Sequence, residues 1–390
     1  MHRTAYPACR VRLATIHDIS PKLREAWSDL ESRAIEPNAY LSPHFALPAI
    51  RHLDRDAGTV IALIETCAPG STALIGVGVF RGVPATRTFP VPHLQAYRSP
   101  HSFLSGLLID RECGRAAIDG LFDQLHAMRW RWHGLAFTGT WNDGPLSDLM
   151  REAVAERGLL REDRDPRMRA LLVSEHRSDL LDAALRARGK QVKRSMRKLE
   201  ERGRVTWSAS RHAPISEAAV ESFLHLEHQG WKGESGTSLR SKPAEESFFR
   251  EVVFGFGKVG RALFTELKLD GKVISSTSNF ISGRGGFAFK VGWLPDLAKM
   301  SPGVLNEVEL MRSFQQGACS DLEFFDSGAT EGSYMENLWT GRRTLISTTI
   351  ASTRLGGAAL RAARIVSAVK RRLRPPATPP SDGSAAAKAA

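Results

Sequence analysis

Residues 261–293 read RALFTELKLDGKVISSTSNFISGRGGFAFKVGW. Three runs with strand patterning, 261–269, 272–281 and 286–293, are joined by Asp270-Gly271 and Ser282-Gly283-Arg284-Gly285. Glycine-containing joints of this length supply the positive-φ positions that tight hairpins need, so three consecutive antiparallel strands are predicted. Shortly afterwards Ser301-Pro302-Gly303 opens a helix. Proline is pre-set for an early helical position, and glycine lets another group approach the backbone closely.

Upstream of the meander, residues 178–201 predict a long helix with Leu181, Leu185, Val192, Met196 and Leu199 on one face, ended by Gly203. A strand at 205–209, a helix at 216–228, a loop carrying Trp231-Lys232-Gly233 and a helix at 243–256 follow. Downstream the pattern predicts a strand at 321–325, a short helix at 334–338 and a strand at 344–351. The first half repeats the theme: strands at 11–15, 59–65, 72–80, 135–138 and 170–173, and helices at 21–34, 116–128 and 145–157. Residues 83–105, rich in proline, histidine and aromatics, read as a long ordered loop. From 352 the chain becomes a basic, alanine-rich helix and then a Pro/Ala-rich tail expected to be disordered.

The chain has 390 residues, 42% hydrophobic and 25% charged, values of an ordinary globular protein with room for two domains. No apolar run approaches the ~18 residues that span a bilayer. Four scattered cysteines without a CxxC pair speak against a zinc site or disulfide framework and fit a reducing, cytoplasmic setting. His212, His225 and His228 show no metal-ligand spacing, so no metal is expected. The net charge of +12 is uneven. Residues 181–204 carry nine basic residues against three acids, and residues 355–374 carry six against none. Such blocks attract polyanions or are solvated faces. In the second block Leu355, Ala359, Ala362, Ile365, Val366, Val369 and Leu373 share a helical face, which predicts a reversible contact with an anionic membrane by a segment outside the fold.

The succession helix, strand, two helices, three antiparallel strands, helix, strand, helix, strand is the order of GNAT-like acyltransferases. Within it, Phe289-Lys290-Val291-Gly292-Trp293 and Lys299 to Glu307 resemble the CelD/BcsL-type acetyltransferases of cellulose and exopolysaccharide biosynthesis. So do Leu226-Glu227, Gly230-Trp231-Lys232-Gly233 and Gly236-Thr237, the basic stretch 193–199, and Glu36-Pro37-Asn38-Ala39-Tyr40-Leu41-Ser42-Pro43. The family is related to FemAB-type transferases. The resemblance implies an α/β (α+β) fold of two tandem GNAT-like domains, each a mixed, mostly antiparallel sheet flanked by helices. The division expected is 1–175, 176–352 as the catalytic domain, and 353–390 as basic helix and tail.

It also implies an acyl-CoA-dependent N-acyltransferase, with acetyl-CoA or another acyl-CoA as co-substrate and a small-molecule or sugar-linked amine as acceptor. Lys290, Val291 and Gly292 would pair with the pantetheine arm as a strand edge, and Ser301, Pro302, Gly303 and Val304 would receive the pyrophosphate at a helix start. The same tripeptide would serve an ordinary N-cap. Tyr334 stands where such enzymes place the acid for the leaving thiolate, followed by Met335 rather than the family's lysine. Asp326, in Asp326-Ser327-Gly328, would orient the acceptor or take its proton, or cap the turn that follows. Trp231 and Lys232 are candidate substrate contacts, Trp231 alternatively filling space beneath the sheet. Glu307 and Glu309 are explained by the helix dipole. Two rival readings are a FemAB-like aminoacyl-tRNA-dependent transferase, with residues 181–204 carrying the RNA, and a non-catalytic module of polysaccharide assembly. A nucleic-acid partner is not expected.

Overall fold

In the computed structural model residues 9–54, 58–66, 73–175, 180–211 and 214–372 are described. The first half runs β1 (Cys9–Ala14), α1 (Pro21–Ser32), α2 (Pro43–Leu53), β2 (Thr59–Thr66), β3 (Leu74–Val83), β4 (His93–Ala96), β5 (Leu108–Ile109), α3 (Gly114–Ala127), β6 (Gly134–Trp141), α4 (Pro145–Glu156) and β7 (Leu160–Val173). The second runs α5 (Leu180–Glu200), β8 (Val205–Ser210), α6 (Glu217–His228), α7 (Trp231–Glu234), α8 (Pro243–Lys258), β9 (Ala262–Leu269), β10 (Lys272–Ser282), β11 (Gly285–Trp293), α9 (Pro302–Gln315), β12 (Phe324–Asp326), β13 (Gly341–Ala351) and α10 (Arg354–Arg372). Local chemistry sets many of these ends. At α1, for example, Ser20 accepts from Leu23 N, Pro21 takes the first position, and Trp27 and Leu30 are buried.

The strands form one mixed sheet flanked by helices, in the order β1-β2-β3-β4-β6-β13-β7-β12-β11-β10-β9-β8. Each half contributes four antiparallel strands and a parallel fifth: β4 runs parallel to β6, and β11 parallel to β12. At the centre the halves exchange their last strands. β13 pairs β6 of the first half, β7 pairs β12 of the second, and β7 and β13 pair with each other from Leu160/Ala351 to Leu171/Gly341. The sheet therefore continues across residue 175. An aromatic cluster seals the same junction, with Phe45 of α2 edge-on to Phe248 of α8 at 5.2 Å and to Phe289 of β11 at 5.8 Å.

The GNAT-like, mixed α/β architecture expected from the sequence is present, with local differences. The strand expected at 170–173 is fourteen residues long. Its first part, Arg-Glu-Asp-Arg-Asp-Pro-Arg-Met-Arg, is too charged for strand periodicity to register, because backbone pairing to β13 rather than burial holds it. Asp165 with φ 53 and Pro166 sit in a register shift opposite Leu345–Ser347, where a proline costs no ladder bond. The loop expected at 83–105 contains β4, and α2, with Pro48 inside it, was not predicted. The expectation that the segment after 353 stands outside the fold is corrected for α10: Leu360 is fully buried, in one cluster with Phe89, Val91 and Ala351. Leu355, Ile365 and Val366 of the same helix are exposed. Leu373 and the tail expected to be disordered lie outside the described residues. Among the described residues no helix is long and apolar enough to cross a membrane.

Candidate active site

β11 and β12 pair only from Gly285/Phe324 to Phe287/Asp326. Beyond that point β12 ends, while β11 continues for six residues, bonded on one side to β10 alone. A shift between Ser278 and Asn279 of β10 leaves Phe289 as the extra residue of a bulge. Past the bulge, Leu294 N donates to Ile274 O. Because antiparallel ladders alternate inward and outward pairs, Val291 then presents its N–H and C=O away from β10, on the open edge. Lys232 Nζ donates to that carbonyl at 2.8 Å and stands 3.4 Å from Glu227 Oε1, while Glu227 Oε2 accepts from Leu239 N. Lys232 thus ties α6 and α7 to β11. The Trp231 side chain lies outside the described residues.

Gly292 is required by packing. A Cβ there would stand 2.7 Å from Glu227 N and 2.9 Å from Leu226 C, at the end of α6. Backbone cannot swing aside as a side-chain tip can, so Gly292→Ala is expected to destabilise the fold by about 1–3 kcal/mol. Urea denaturation measures this; stability unchanged within about 0.5 kcal/mol would mean that α6 shifts freely. On the same face of β11, burial followed by the neighbouring charge of Lys232 pulls the Lys290 ammonium below its usual range. His101, from the first half, lies 3.2 Å from Glu245 and stacks on Phe248 at 5.4 Å; burial pulls it down to about 4.

Val291 and Trp293 face α9. Ser301 takes a left-handed conformation (φ 48°, ψ 56°), and its side chain does not cap the helix. Pro302 has no N–H, and the first-turn N–H groups of Gly303 and Val304, left uncapped by Ser301, meet no acceptor among the described residues. A Cβ at Gly303 would stand 3.4 Å from Trp293 Cδ1 and 3.6 Å from Val291 Cγ2, which puts this helix start against the open strand.

One turn beyond Gly303 lies Glu307, 4% exposed, with Oε2 lacking a partner; burial pushes its carboxyl up to about 7. The helix-dipole reading, which needs a negative charge, therefore applies to Glu307 only above that pH. Partial desolvation of the Tyr334 phenol, followed by the nearby Glu307 carboxylate, raises it above its ordinary range. It is 38% exposed, whereas its neighbour Trp339 is fully buried.

Asp326 is set apart from this group. It is fully buried, its Oδ1 accepts from Arg169 Nη1 at 3.0 Å and from Gly328 N at 2.8 Å, and its Oδ2 has no partner. The structure therefore brings together Lys232, Lys290, Val291, Gly292 and the start of α9, with Tyr334 beside Glu307. Sequence reasoning left Glu307 to the helix dipole and passed over His101, Glu245 and Arg169. The four-residue spacing from Gly303 to Glu307 marks one helix face and was a usable signal; for the other three there was none. No cluster able to hold a metal occurs among the described residues.

Residues 186–333 match the family model described as an acetyltransferase (GNAT) domain. No curated protein matches the sequence. Solved structures with the same fold include FemX (TM-score 0.55, 12% identity, 84% of this chain and 95% of that one). A conserved protein of unknown function from Bacteroides thetaiotaomicron is similar at TM-score 0.56 and 9% identity over 88% of this chain and 100% of the other. L-PGS from Bacillus licheniformis is similar at TM-score 0.50 and 12% identity over 89% and 97%. At these identities the likeness is one of fold.

Proposed function

We propose that the second half transfers an acyl group from coenzyme A to an amine. The open edge of β11 beside the uncapped start of α9 carries this reading. The corresponding gap of the first half, between β4 and β6, is filled by the chain itself: Ser105 N donates to Gly139 O at 3.0 Å and Ser105 Oγ to Thr138 O at 2.8 Å. The outward groups of Val291 suit the amide-rich pantetheine arm, and the free N–H groups of Gly303 and Val304 suit its pyrophosphate. Lys232 occupies the Val291 carbonyl, so an entering amide competes with it there. The acyl-CoA supplies a thioester, which the amine attacks directly. An N–H on the open edge polarises the carbonyl as it gains charge. Tyr334, whose phenol lies above its ordinary range, gives its proton to the leaving thiolate, while the acceptor nitrogen sheds one to water and water reprotonates the tyrosine. The acceptor is a small-molecule or sugar-linked amine, in keeping with the resemblance to enzymes of exopolysaccharide synthesis.

Calorimetric titration with acetyl-CoA tests the reading. The expected dissociation constant is micromolar, weakened at least about tenfold in Gly303→Val, whose branches would crowd Val291 and Trp293 at the helix start. No binding of acetyl-CoA or longer acyl-CoAs, together with tight and salt-resistant binding of aminoacyl-tRNA, would overturn it in favour of an aminoacyl donor.

A further inference from the structure

Where the halves exchange strands, β7, β13 and the loops 97–107 and 327–333 enclose a cavity of about 360 Å³. Three arginines face it: Arg98, Arg167 and Arg169. Arg98 spends Nε and Nη2 on the carbonyl of Ser102, at 3.1 and 2.7 Å. Its Nη1 lies over Gly139, 3.5 Å from where a Cβ would stand, and Gly139 has φ +71°. Arg169, 6% exposed, uses Nη1 on Asp326 and Nη2 on the carbonyl of Phe103 at 3.3 Å. Among the described residues neither Arg98 nor Arg167 has a carboxylate partner. Asp165 and Glu331 also line the cavity, yet neither forms an ion pair with any of the three arginines. Partial desolvation, followed by the charges of Arg169 and Arg167 and opposed by Tyr40, pulls the Arg98 guanidinium below its ordinary value.

Arg169 lies buried on Asp326, whereas Arg98 and Arg167 are exposed and without a carboxylate partner among the described residues, so the cavity offers an entering anion two uncommitted charges. The planar forks match two-oxygen groups, carboxylate or phosphate, better than a single ion. The cavity also abuts the open strand. Gly328 forms part of its wall, and a Cβ on Gly328 would stand 2.8 Å from the carbonyl of Ala288, where β11 leaves β12.

We propose that this cavity binds an oxyanionic group of the acceptor, so that the amine acylated is one that also carries a carboxylate or a phosphate. The cavity as an anion site stands on its own residues, whereas its assignment to the acceptor rests on the acyl-transfer reading above. The test titrates the full chain with inorganic phosphate and, separately, with succinate, and repeats both with Arg167→Ala and Arg98→Lys. Arg167 is exposed and unpaired, so its removal leaves folding intact. The expected result is saturable binding of one of the two anions, which names the group. That binding weakens about tenfold in Arg167→Ala, and acetyl-CoA affinity is unchanged. Absence of binding for both anions, or equal binding by parent and both variants, overturns the site whatever acetyl-CoA does. Intact anion binding without acyl-CoA binding supports the site and overturns its assignment to an acyl acceptor.

Discussion

Arg169→Met is expected to lower stability by about 3–5 kcal/mol, the usual cost of removing one partner from a buried ion pair. Its partner Asp326 is fully buried, and Oδ2 already lacks a hydrogen bond. Without the guanidinium, Oδ1 would keep only the Gly328 N–H, and the carboxylate would be left as an isolated charge. Replacing both residues, Arg169→Met with Asp326→Asn, removes that charge and should recover much of the loss. Urea denaturation of the parent, the single variant and the double variant measures this. A single-variant loss below about 1 kcal/mol would show that water reaches Asp326 and screens it. Because β7 and β13 cross between the halves, parent and variants should unfold in one transition rather than two.

Glu307→Gln should act in the opposite sense. The folded carboxyl titrates near 7 against an ordinary value of 4.5, and burial is the cause. Between those two values the folded chain holds a proton that the unfolded chain releases. Stability therefore falls as pH rises through that window and levels off above it. Glutamine has nearly the same shape and no charge, so the variant should match the parent near pH 4 and exceed it at pH 8 by on the order of 3 kcal/mol. Denaturation midpoints across this range measure the difference. Parallel pH profiles for parent and variant would mean that the carboxylate finds a partner when it ionises.

Much of the candidate site was legible because its signals are local. Asp270-Gly271 sets a hairpin by its own backbone preferences, and Ser301-Pro302-Gly303 starts a helix wherever it stands. The run from Gly285 to Trp293 is a strand by composition. Alternation could not reveal the bulge at Phe289, which depends on the register with β10. The role of Lys232 could not be read either. Lysine in a polar loop predicts solvent or phosphate, and only the turn of α7 beside β11 places its ammonium on the carbonyl of Val291.

Glu307, Asp326 and the charged stretch of β7 show where local reading stops. A glutamate in the first turns of a helix is ordinarily solvated; here the packing of α9 against the sheet closes over it. An aspartate after a short strand is ordinarily a turn residue. Asp326 does cap the turn at Gly328, and Arg169, 157 positions earlier, reaches the same oxygen. The sequence by itself determined most of the elements, the meander, the helix start beside it and the likeness of the two halves, because turn chemistry and side-chain period act over a few residues. Only the tertiary structure decided which strands the halves exchange, which acids lose their water and which arginines share a cavity. Those outcomes follow from pairings between distant segments, and a charge's environment is set by what packs over it rather than by its neighbours in the chain.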